Sequence, residues 1–144
     1  MGEGHIYALI HSAYVGDLER VGDHAENLVE LTDYCRENKI KMSDEANKKL
    51  SEMMHLVEKA LVDSLTSLRN NNVELAKKVI EQDDIIDSME NELRKGHITR
   101  LNAGACSAAA GAVYLDILSN LERIGDHAVN LAQAVLEDQV KAKA

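Results

Sequence analysis

Apolar residues recur at helical spacing along most of this 144-residue chain, and no proline interrupts them. They are mainly leucine, alanine, valine, isoleucine and methionine, among which are strong helix formers, and phenylalanine and tryptophan are absent. A chain of this length can bury a core large enough to fold alone. The sequence therefore predicts an all-α protein built as a single domain over residues 1–144.

The apolar stripes and the breaks between them divide the chain into four predicted helices. These helices cover residues 5–37, 44–69, 73–95 and about 99–140. Ser43, which precedes Asp44 and Glu45, is the predicted N-cap of the second helix, and Lys95 with Gly96 is the predicted end of the third. Because short loops make consecutive helices antiparallel, residues 43–140 are expected to form a three-helix bundle with the first helix beside it.

The charge balance limits the classes of partner. Acidic residues outnumber basic ones by 25 to 16, which gives a net charge of −9. Nucleic-acid binding needs clustered lysine and arginine, so we expect no nucleic-acid partner and favour cations. Cys35 and Cys106 are predicted to be reduced, as in a cytosolic protein. The chain has no signal-peptide pattern at its start, and its longest uncharged apolar run, residues 103–115, is too short to span a bilayer.

An eleven-residue phrase occurs twice in the sequence. LERVGDHAENL at residues 18–28 returns as LERIGDHAVNL at residues 121–131, and nine of the eleven positions are identical. Each copy holds a glutamate and an aspartate four residues apart on one helix face: Glu19 with Asp23, and Glu122 with Asp126. Because like charges at this spacing repel by about 0.2–0.5 kcal/mol on an exposed helix, a positive group is expected near each pair.

The repeat also conserves a glycine and a histidine between its two copies. Gly22 and Gly125 each cost about 1 kcal/mol relative to alanine inside a helix, which predicts close approach by another helix or a ligand. His24 and His127 point about 100° away from the preceding aspartate. We therefore expect the histidines to orient a carboxylate or to contact a neighbouring helix, and not to bind metal directly.

The third predicted helix contains a strongly acidic segment. Residues 81–92, EQDDIIDSMENE, include six acidic side chains and no basic one. Asp83 and Asp87 repeat the four-residue spacing, and Asp83 falls on the apolar stripe of the helix. Such a run is usually a solvated surface, but next to Glu122 and Asp126 it would supply the oxygen donors that divalent and trivalent cations prefer. The sequence therefore predicts a metal site shared by the third and fourth helices.

The duplicated LER[VI]GDHAxNL, together with Asp83 and Asp87 on the preceding helix, resembles the PhoU family of phosphate-transport regulators. It is equally similar to the PhoU-like C-terminal domain of bacterial Na/phosphate cotransporters. Members of this family look like two similar three-helix bundles, in which paired acidic motifs hold a multinuclear cluster, commonly of iron or zinc. The resemblance implies one complete three-helix bundle here, plus the last helix of another.

The resemblance also implies a ligand set and a biological setting. The implied metal ligands are Asp83, Asp87, Glu122 and Asp126 in the complete bundle, and Glu19 and Asp23 in the first bundle, whose partner helix is missing. The implied function is a non-enzymatic, metal-binding regulatory domain whose partner is a phosphate transporter, in the same polypeptide or separate. We expect a cytoplasmic location, tethered to the inner membrane if the chain is a piece of a transporter, and a homodimer that covers the unpartnered first helix.

Two alternatives stay open at this stage. A helical dimerisation scaffold would keep the repeat for packing alone, with Arg20 and Arg123 pairing with the carboxylates. A di-iron carboxylate enzyme would need two Glu-x-x-His pairs, and the chain has one, formed by Glu52 and His55. The sequence contains no nucleophile–base pair or phosphate-binding glycine loop, so it gives no support to hydrolase or kinase chemistry.

Overall fold

The computed structural model describes residues 2–143, and the side chains of residues 14–138 within them. These residues form four helices: α1 (Gly2–Glu37), α2 (Asp44–Asn70), α3 (Val73–Asn102) and α4 (Ala108–Lys143). Helices account for 90% of the chain, and the described residues contain no strand. The prediction of an all-α bundle of four helices is therefore confirmed.

The helix ends agree with the sequence at one position and differ at another. Ser43 caps α2, since its side chain accepts a hydrogen bond from the backbone N–H of Ala46 at 3.1 Å. The predicted end of the third helix at Gly96 is wrong, because α3 continues to Asn102 and α4 begins only at Ala108. His97, directly after Gly96, is buried, and such tertiary packing offsets the roughly 1 kcal/mol that a mid-helix glycine costs.

Helices α2, α3 and α4 pack against one another around the apolar core. Two columns of α3 residues at seven-residue spacing face this interior. The apolar column is Val79, Ile86 and Leu93, and all three side chains are buried. The neighbouring column is Ala76, Asp83, Glu90 and His97. Ionisable side chains therefore line one side of the contact between α3 and α4, where a purely structural bundle would place apolar ones.

Two glycines of α4 lie opposite members of this polar column. A Cβ atom at Gly111 would lie 2.8 Å from Cε1 of His97, which is closer than real contacts allow. A Cβ atom at Gly125 would lie 4.0 Å from Oδ1 of Asp83, an ordinary contact distance. A Cβ atom at Gly22 of α1 would meet no heavy atom within 4 Å in the described structure. The predicted close approach of another helix is therefore found at Gly125, whereas no described residue approaches Gly22.

The repeated phrase forms the interface between α1 and α4, which run antiparallel. Nδ1 of His24 lies 3.1 Å from Oδ1 of Asn120, and Nδ1 of His127 lies 2.9 Å from Oδ1 of Asp17. The repeat offset of 103 residues relates His24 to His127 and Asp17 to Asn120, so the two hydrogen bonds are equivalent. The two imidazole rings stack between them, with centroids 5.7 Å apart. As expected, both histidines contact a neighbouring helix.

The outer face of α1 is apolar and uncovered. In the described residues α1 packs against α4 and against no other helix. Its exposed stripe consists of Val15, Leu18, Gly22, Ala25 and Val29. The repeat offset relates these to Leu118, Leu121, Gly125, Ala128 and Ala132, which are buried in the bundle. The outer face of α1 thus has the pattern of a packing surface.

Over the described residues, none of the four helices has the apolar length that crossing a bilayer requires.

Candidate metal centre

Three aspartates from two helices converge at the contact between α3 and α4. Asp83 and Asp87 lie one turn apart on α3, and Asp126 follows Gly125 on α4. One carboxylate oxygen from each of the three lies within 4.8 Å of the others. The four-residue spacing places the two α3 carboxylates on one face, and the small residue at position 125 lets α3 lie close to α4. The structure thus brings together three of the four residues predicted to form a metal site between the third and fourth helices.

Asp83 is the least solvated member of this group. Its Oδ1 atom is buried, and it has no hydrogen-bond partner among the described residues. Burial raises the pKa of the Asp83 carboxyl most, and together with the negative charges of Asp87, Asp126 and Asp84, in that order of importance, it brings the pKa from 3.8 to about 6. An unpartnered, shielded carboxylate oxygen beside two other carboxylates is a position at which a cation would be stabilised.

Asp126 and Asp87 open the group to solvent, since both side chains are exposed. The pKa of Asp126 is raised, first by partial burial and then by the charge of Asp87, while His127 lowers it and Glu90 raises it. The three carboxylates therefore repel one another, yet the site stays accessible to an ion from solution. Accessibility and three oxygen donors together meet the requirements of a hard or borderline cation.

Glu122, the fourth predicted ligand, lies beside the three aspartates and does not join their closely spaced group. Its Oε2 atom lies 3.7 Å from Nη2 of Arg94, whose Nε atom donates to Oε1 of Glu90 at 2.6 Å. Burial is the largest cause that raises the pKa of Glu122, and the neighbouring Glu90 carboxyl and the charge of Asp126 also raise it. Arg94 lowers it, and the net result is a pKa raised from 4.5 to about 6. Glu122 and Glu90 thus share one guanidinium.

Arg94 and its contacts were not predicted from the sequence. Glu90 is buried, it lies seven residues after Asp83, and Arg94 lies four residues after Glu90. Arg94 also donates to Oγ of Ser119 at 3.3 Å, which ties α3 to α4. The seven-residue spacing was a readable signal for Glu90, because it places both carboxylates in one column of the helix. The guanidinium reduces the negative charge at one end of the cluster, and no ion pair of the described residues includes any of the three aspartates.

The first copy of the motif has a different environment. Glu19 and Asp23 are exposed on α1, and no acidic side chain of another described helix joins them in a close group. Arg20 lies 3.8 Å from Asp17 and forms no ion pair with either motif carboxylate in the described structure. Among the described residues, the second copy therefore contributes to a close group of carboxylates and the first copy does not.

Comparison with known families identifies the chain. The sequence profile described as the PhoU domain matches residues 50–135, which begin in α2, end in α4 and contain all three converging aspartates. This chain belongs to the PhoU family. The resemblance drawn from the repeated motif is therefore confirmed at the level of the family.

Curated PhoU relatives extend the match beyond the profile. The chain is 35% identical over 130 residues to the phosphate-specific transport system accessory protein PhoU homolog 1 of Thermotoga maritima, a match that covers 90% of this chain and 55% of the relative. It is 34% identical over 98 residues to the PhoU homolog of Aquifex aeolicus, covering 65% of this chain and 43% of the relative. The chain thus spans about half the length of the relatives it matches. No solved structure matches it significantly.

Proposed function

We propose that this PhoU-family chain is a non-catalytic regulatory domain of phosphate uptake that binds a divalent or trivalent metal ion, with iron or zinc favoured. The observation that carries the proposal is the group formed by Asp83, Asp87 and Asp126. Their carboxylate oxygens lie within 4.8 Å of one another, and one oxygen of Asp83 is buried without a partner. Three like charges held this close on packed helices destabilise the bundle unless a cation is present.

The donor set supports a hard or borderline ion. Asp83 and Asp87 of α3 and Asp126 of α4 would hold the metal, with Glu122 beside them. All these donors are carboxylate oxygens, and no histidine or cysteine of the described residues joins the close group. Iron accepts such ligands readily, whereas structural zinc sites usually include nitrogen or sulfur, so the donors favour iron of the two. The bound ion would supply positive charge at the contact between α3 and α4.

The proposed regulation follows from the position of the aspartates on two helices. Without a counter-charge, Asp83 and Asp87 repel Asp126 across the contact between α3 and α4. This repulsion destabilises the packing of the two helices in their present register. Neutralising these carboxylates would favour one register, and with it one surface for a partner. The two carboxylates that share Arg94 would stay paired in both states.

The proposed partner is a phosphate transporter, in the same polypeptide or as a separate membrane protein. The support is that the Thermotoga maritima and Aquifex aeolicus relatives carry names that make them accessory proteins of a phosphate-specific transport system. Because this chain spans about half of their length, the assignment to phosphate uptake is part of the proposal. We extend it to a cytoplasmic location, tethered to the inner membrane if the domain is part of a Na/phosphate cotransporter.

One alternative has a specific observation in its favour. The reciprocal hydrogen bonds of His24 and His127 give the repeat a packing role that needs no metal, as a dimerisation scaffold would require. The di-iron enzyme has less support, since both Glu52 and His55 are exposed on α2 and the converging aspartates lie on the other two helices of the bundle.

Metal analysis distinguishes these functions. Protein purified without chelator, incubated with Fe, Zn or Mn and desalted should retain metal, as measured by inductively coupled plasma mass spectrometry. The double variant Asp83→Asn/Asp126→Asn should lose that metal, because it removes a ligand from each helix. The matched control Glu19→Gln/Asp23→Asn changes the exposed first motif and should retain it. Absence of metal from the wild-type protein would favour the scaffold, and loss of metal on His55→Ala would favour the enzyme.

We also propose a homodimer in which the outer face of α1 packs against the same face of a second copy. The uncovered stripe that begins at Val15 and ends at Val29 has the alternating three- and four-residue spacing of a two-helix seam. Val15, Leu18 and Val29 are 38%, 41% and 61% exposed, respectively, in the single chain. Gly22, in the middle of the stripe, has open space where a Cβ atom would be, which leaves room for a second helix to approach.

The dimer is tested by its mass in solution. Light scattering at micromolar concentration should give twice the chain mass of 15.9 kDa for the wild-type protein. Leu18→Lys should yield monomers, because it places a charge on the apolar seam. The control Val62→Lys changes a valine of α2 that is 53% exposed and should leave the dimer intact. A wild-type mass of one chain would overturn the proposal.

A further inference from the structure

A pocket lies at the end of the bundle where α2 and α4 begin, about 20 Å along α4 from the three aspartates. Its volume is about 180 Å³, and it is bounded by the α1–α2 loop, the last turns of α3 and the start of α4. The polar residues that line it are Lys41, Ser43, His97, Arg100, Ser107 and Tyr114. We call this the loop pocket. No acidic side chain is among its lining residues in the described structure.

Two long helices direct their N-termini towards the loop pocket. Ser43 caps α2, and Oγ of Ser107 accepts a hydrogen bond from the backbone N–H of Ala110 in the first turn of α4. The first turn of a helix leaves backbone N–H groups without intrahelical acceptors and carries a partial positive charge. The first turn of α4 contains no acidic residue to offset this charge, whereas the first turn of α2 contains Asp44 and Glu45. The start of α4 therefore favours an anion at the loop pocket.

Two cations line the loop pocket without a carboxylate partner. Neither Lys41 nor Arg100 forms an ion pair with any side chain that the structure describes, although the chain as a whole carries a net charge of −9. The guanidinium carbon of Arg100 lies 5.2 Å from the ring centroid of Tyr114. Stacking on this ring holds the guanidinium at the pocket and leaves its N–H groups available to a ligand.

Tyr114 supplies an independent indication of a ligand. The residue is only 2% exposed, and its hydroxyl group is buried without a hydrogen-bond partner in the described structure. A buried hydroxyl without a partner costs about 1–3 kcal/mol, so such groups are rare unless a water or a ligand meets them. The ring of Tyr114 stacks with that of His97 at 5.4 Å, and Gly111 makes room for this imidazole. Packing thus fixes the ring of Tyr114, a residue that lines the loop pocket and whose buried hydroxyl lacks a partner among the described residues.

We propose that the loop pocket binds a phosphate-type oxyanion, held by Arg100, Lys41, the Tyr114 hydroxyl and the amides that begin α4. A tetrahedral oxyanion accepts several hydrogen bonds and matches the planar donors of a guanidinium. Free phosphate and the phosphate group of a small monoester share this chemistry. Since the pocket joins the α1–α2 loop to the α3–α4 loop, the bound anion would tie both loops to the bundle. The site is separate from the proposed metal centre and needs no metal.

Binding is tested on the full chain after metal removal, so that phosphate cannot bind through a metal at the aspartates. Titration calorimetry with inorganic phosphate, at matched ionic strength and up to about 10 mM, should give a saturable isotherm. Arg100→Gln should raise the Kd about tenfold or more, since it removes a charge-assisted donor. Lys48→Gln removes an exposed lysine of α2 outside the pocket and should leave the Kd unchanged.

Tyr114→Phe gives a second readout that a structural role of the hydroxyl would not produce. Without phosphate this variant should melt at the same temperature as the wild type or higher, because it removes a buried group that lacks a partner. The rise in melting temperature on adding phosphate should be smaller than in the wild type. Glycerol phosphate in place of inorganic phosphate identifies the source: tighter binding of the ester assigns the pocket to a phosphate monoester, and weaker binding assigns it to the free anion.

Two results would overturn the proposal. One is the absence of saturable phosphate binding by the wild-type protein over this range. The other is a Kd that Arg100→Gln leaves unchanged, which would place the anion elsewhere. Asp83→Asn/Asp126→Asn should bind phosphate like the wild type, so the metal proposal and the anion proposal can fail independently.

Discussion

Asp126→Asn should stabilise the metal-free protein slightly and destabilise the metal-bound protein. Without metal, the carboxylate of Asp126 lies close to those of Asp83 and Asp87, and asparagine removes its charge while nearly preserving its shape. The free energy of unfolding should therefore rise by about 0–1 kcal/mol or stay level. With metal at saturation the same change removes a ligand, and each tenfold loss of affinity lowers the free energy of unfolding by about 1.4 kcal/mol.

The change of sign separates a ligand from a merely repelling carboxylate. Thermal melts of wild type and variant, with chelator and with added Fe, Zn or Mn, measure the change in stability in the metal-free and the metal-bound protein. The repeat supplies a matched control, because Asp23 occupies the same motif position on α1, where no acidic partner helix is present in the described residues. Asp23→Asn should show a much smaller crossover. Equal shifts of the Asp126→Asn melting temperature with and without metal would exclude the aspartates as a cation site.

Arg94→Met should lower the free energy of unfolding of the metal-free protein by about 2–3 kcal/mol at pH 7, because it leaves Glu90 and Glu122 facing each other without their guanidinium. The Glu90 side chain is only 11% exposed, so water cannot replace the lost partner. Glu90→Gln/Arg94→Met should recover most of this loss. The control Lys59→Met breaks an exposed pair with Asp63 at the same four-residue spacing and should change stability by less than about 0.5 kcal/mol.

The loss of stability in Arg94→Met should also depend on pH, and the direction of this dependence follows from the pKa of Glu122. The pKa of Glu122 is raised from 4.5 to about 6 in the folded protein, so the folded state takes up this proton more readily than the unfolded state. Protonation therefore stabilises the folded state below about pH 4.5, and this contribution is lost as pH rises through about 6. Urea unfolding should show a smaller destabilisation at pH 5 than at pH 7. A destabilisation that is independent of pH would contradict the shared-guanidinium arrangement.

The helices were predictable from the sequence because each depends on local periodicity and capping. Ser43 illustrates this, since its cap needs only the amide of Ala46 three residues later. The end of α3 was not predictable, because Gly96 is a local stop signal that the burial of His97 against α4 overrides. Local sequence signals thus predict one helix end correctly, and tertiary packing overrides them at another.

The candidate site was predictable in part for the same physical reason. The spacing of Asp83 and Asp87 fixes their common face, and the repeat singles out Asp126. The sequence does not fix the position of α3 along α4. That position determines that Arg94 contacts Glu122 and that the three aspartates lie close to one another. The loop pocket was not predicted at all. Its lining comes from three separate segments, and its donors become a group only when both loops meet at one end of the bundle.

The repeat has a packing role that the spacing of its residues in the sequence did not predict. Its acidic pairs suggested two metal sites, whereas His24 and His127 show that both copies also build one antiparallel interface with equivalent hydrogen bonds. A single phrase can serve both purposes because its histidine and its acidic pair lie on different faces of the helix. The acidic face of the second copy points to α3, and that of the first copy is exposed.

Locating the metal in crystals of the protein grown with Fe or Zn tests the central claim most directly. Anomalous scattering collected at the absorption edge of that metal should give a peak among the carboxylates of Asp83, Asp87 and Asp126. Oxygen atoms from both α3 and α4 should lie about 2.0–2.2 Å from it, the usual range for zinc and carboxylate oxygen. Metal-loaded crystals with no peak among these three carboxylates, or with peaks only elsewhere on the protein, would contradict the proposed metal centre.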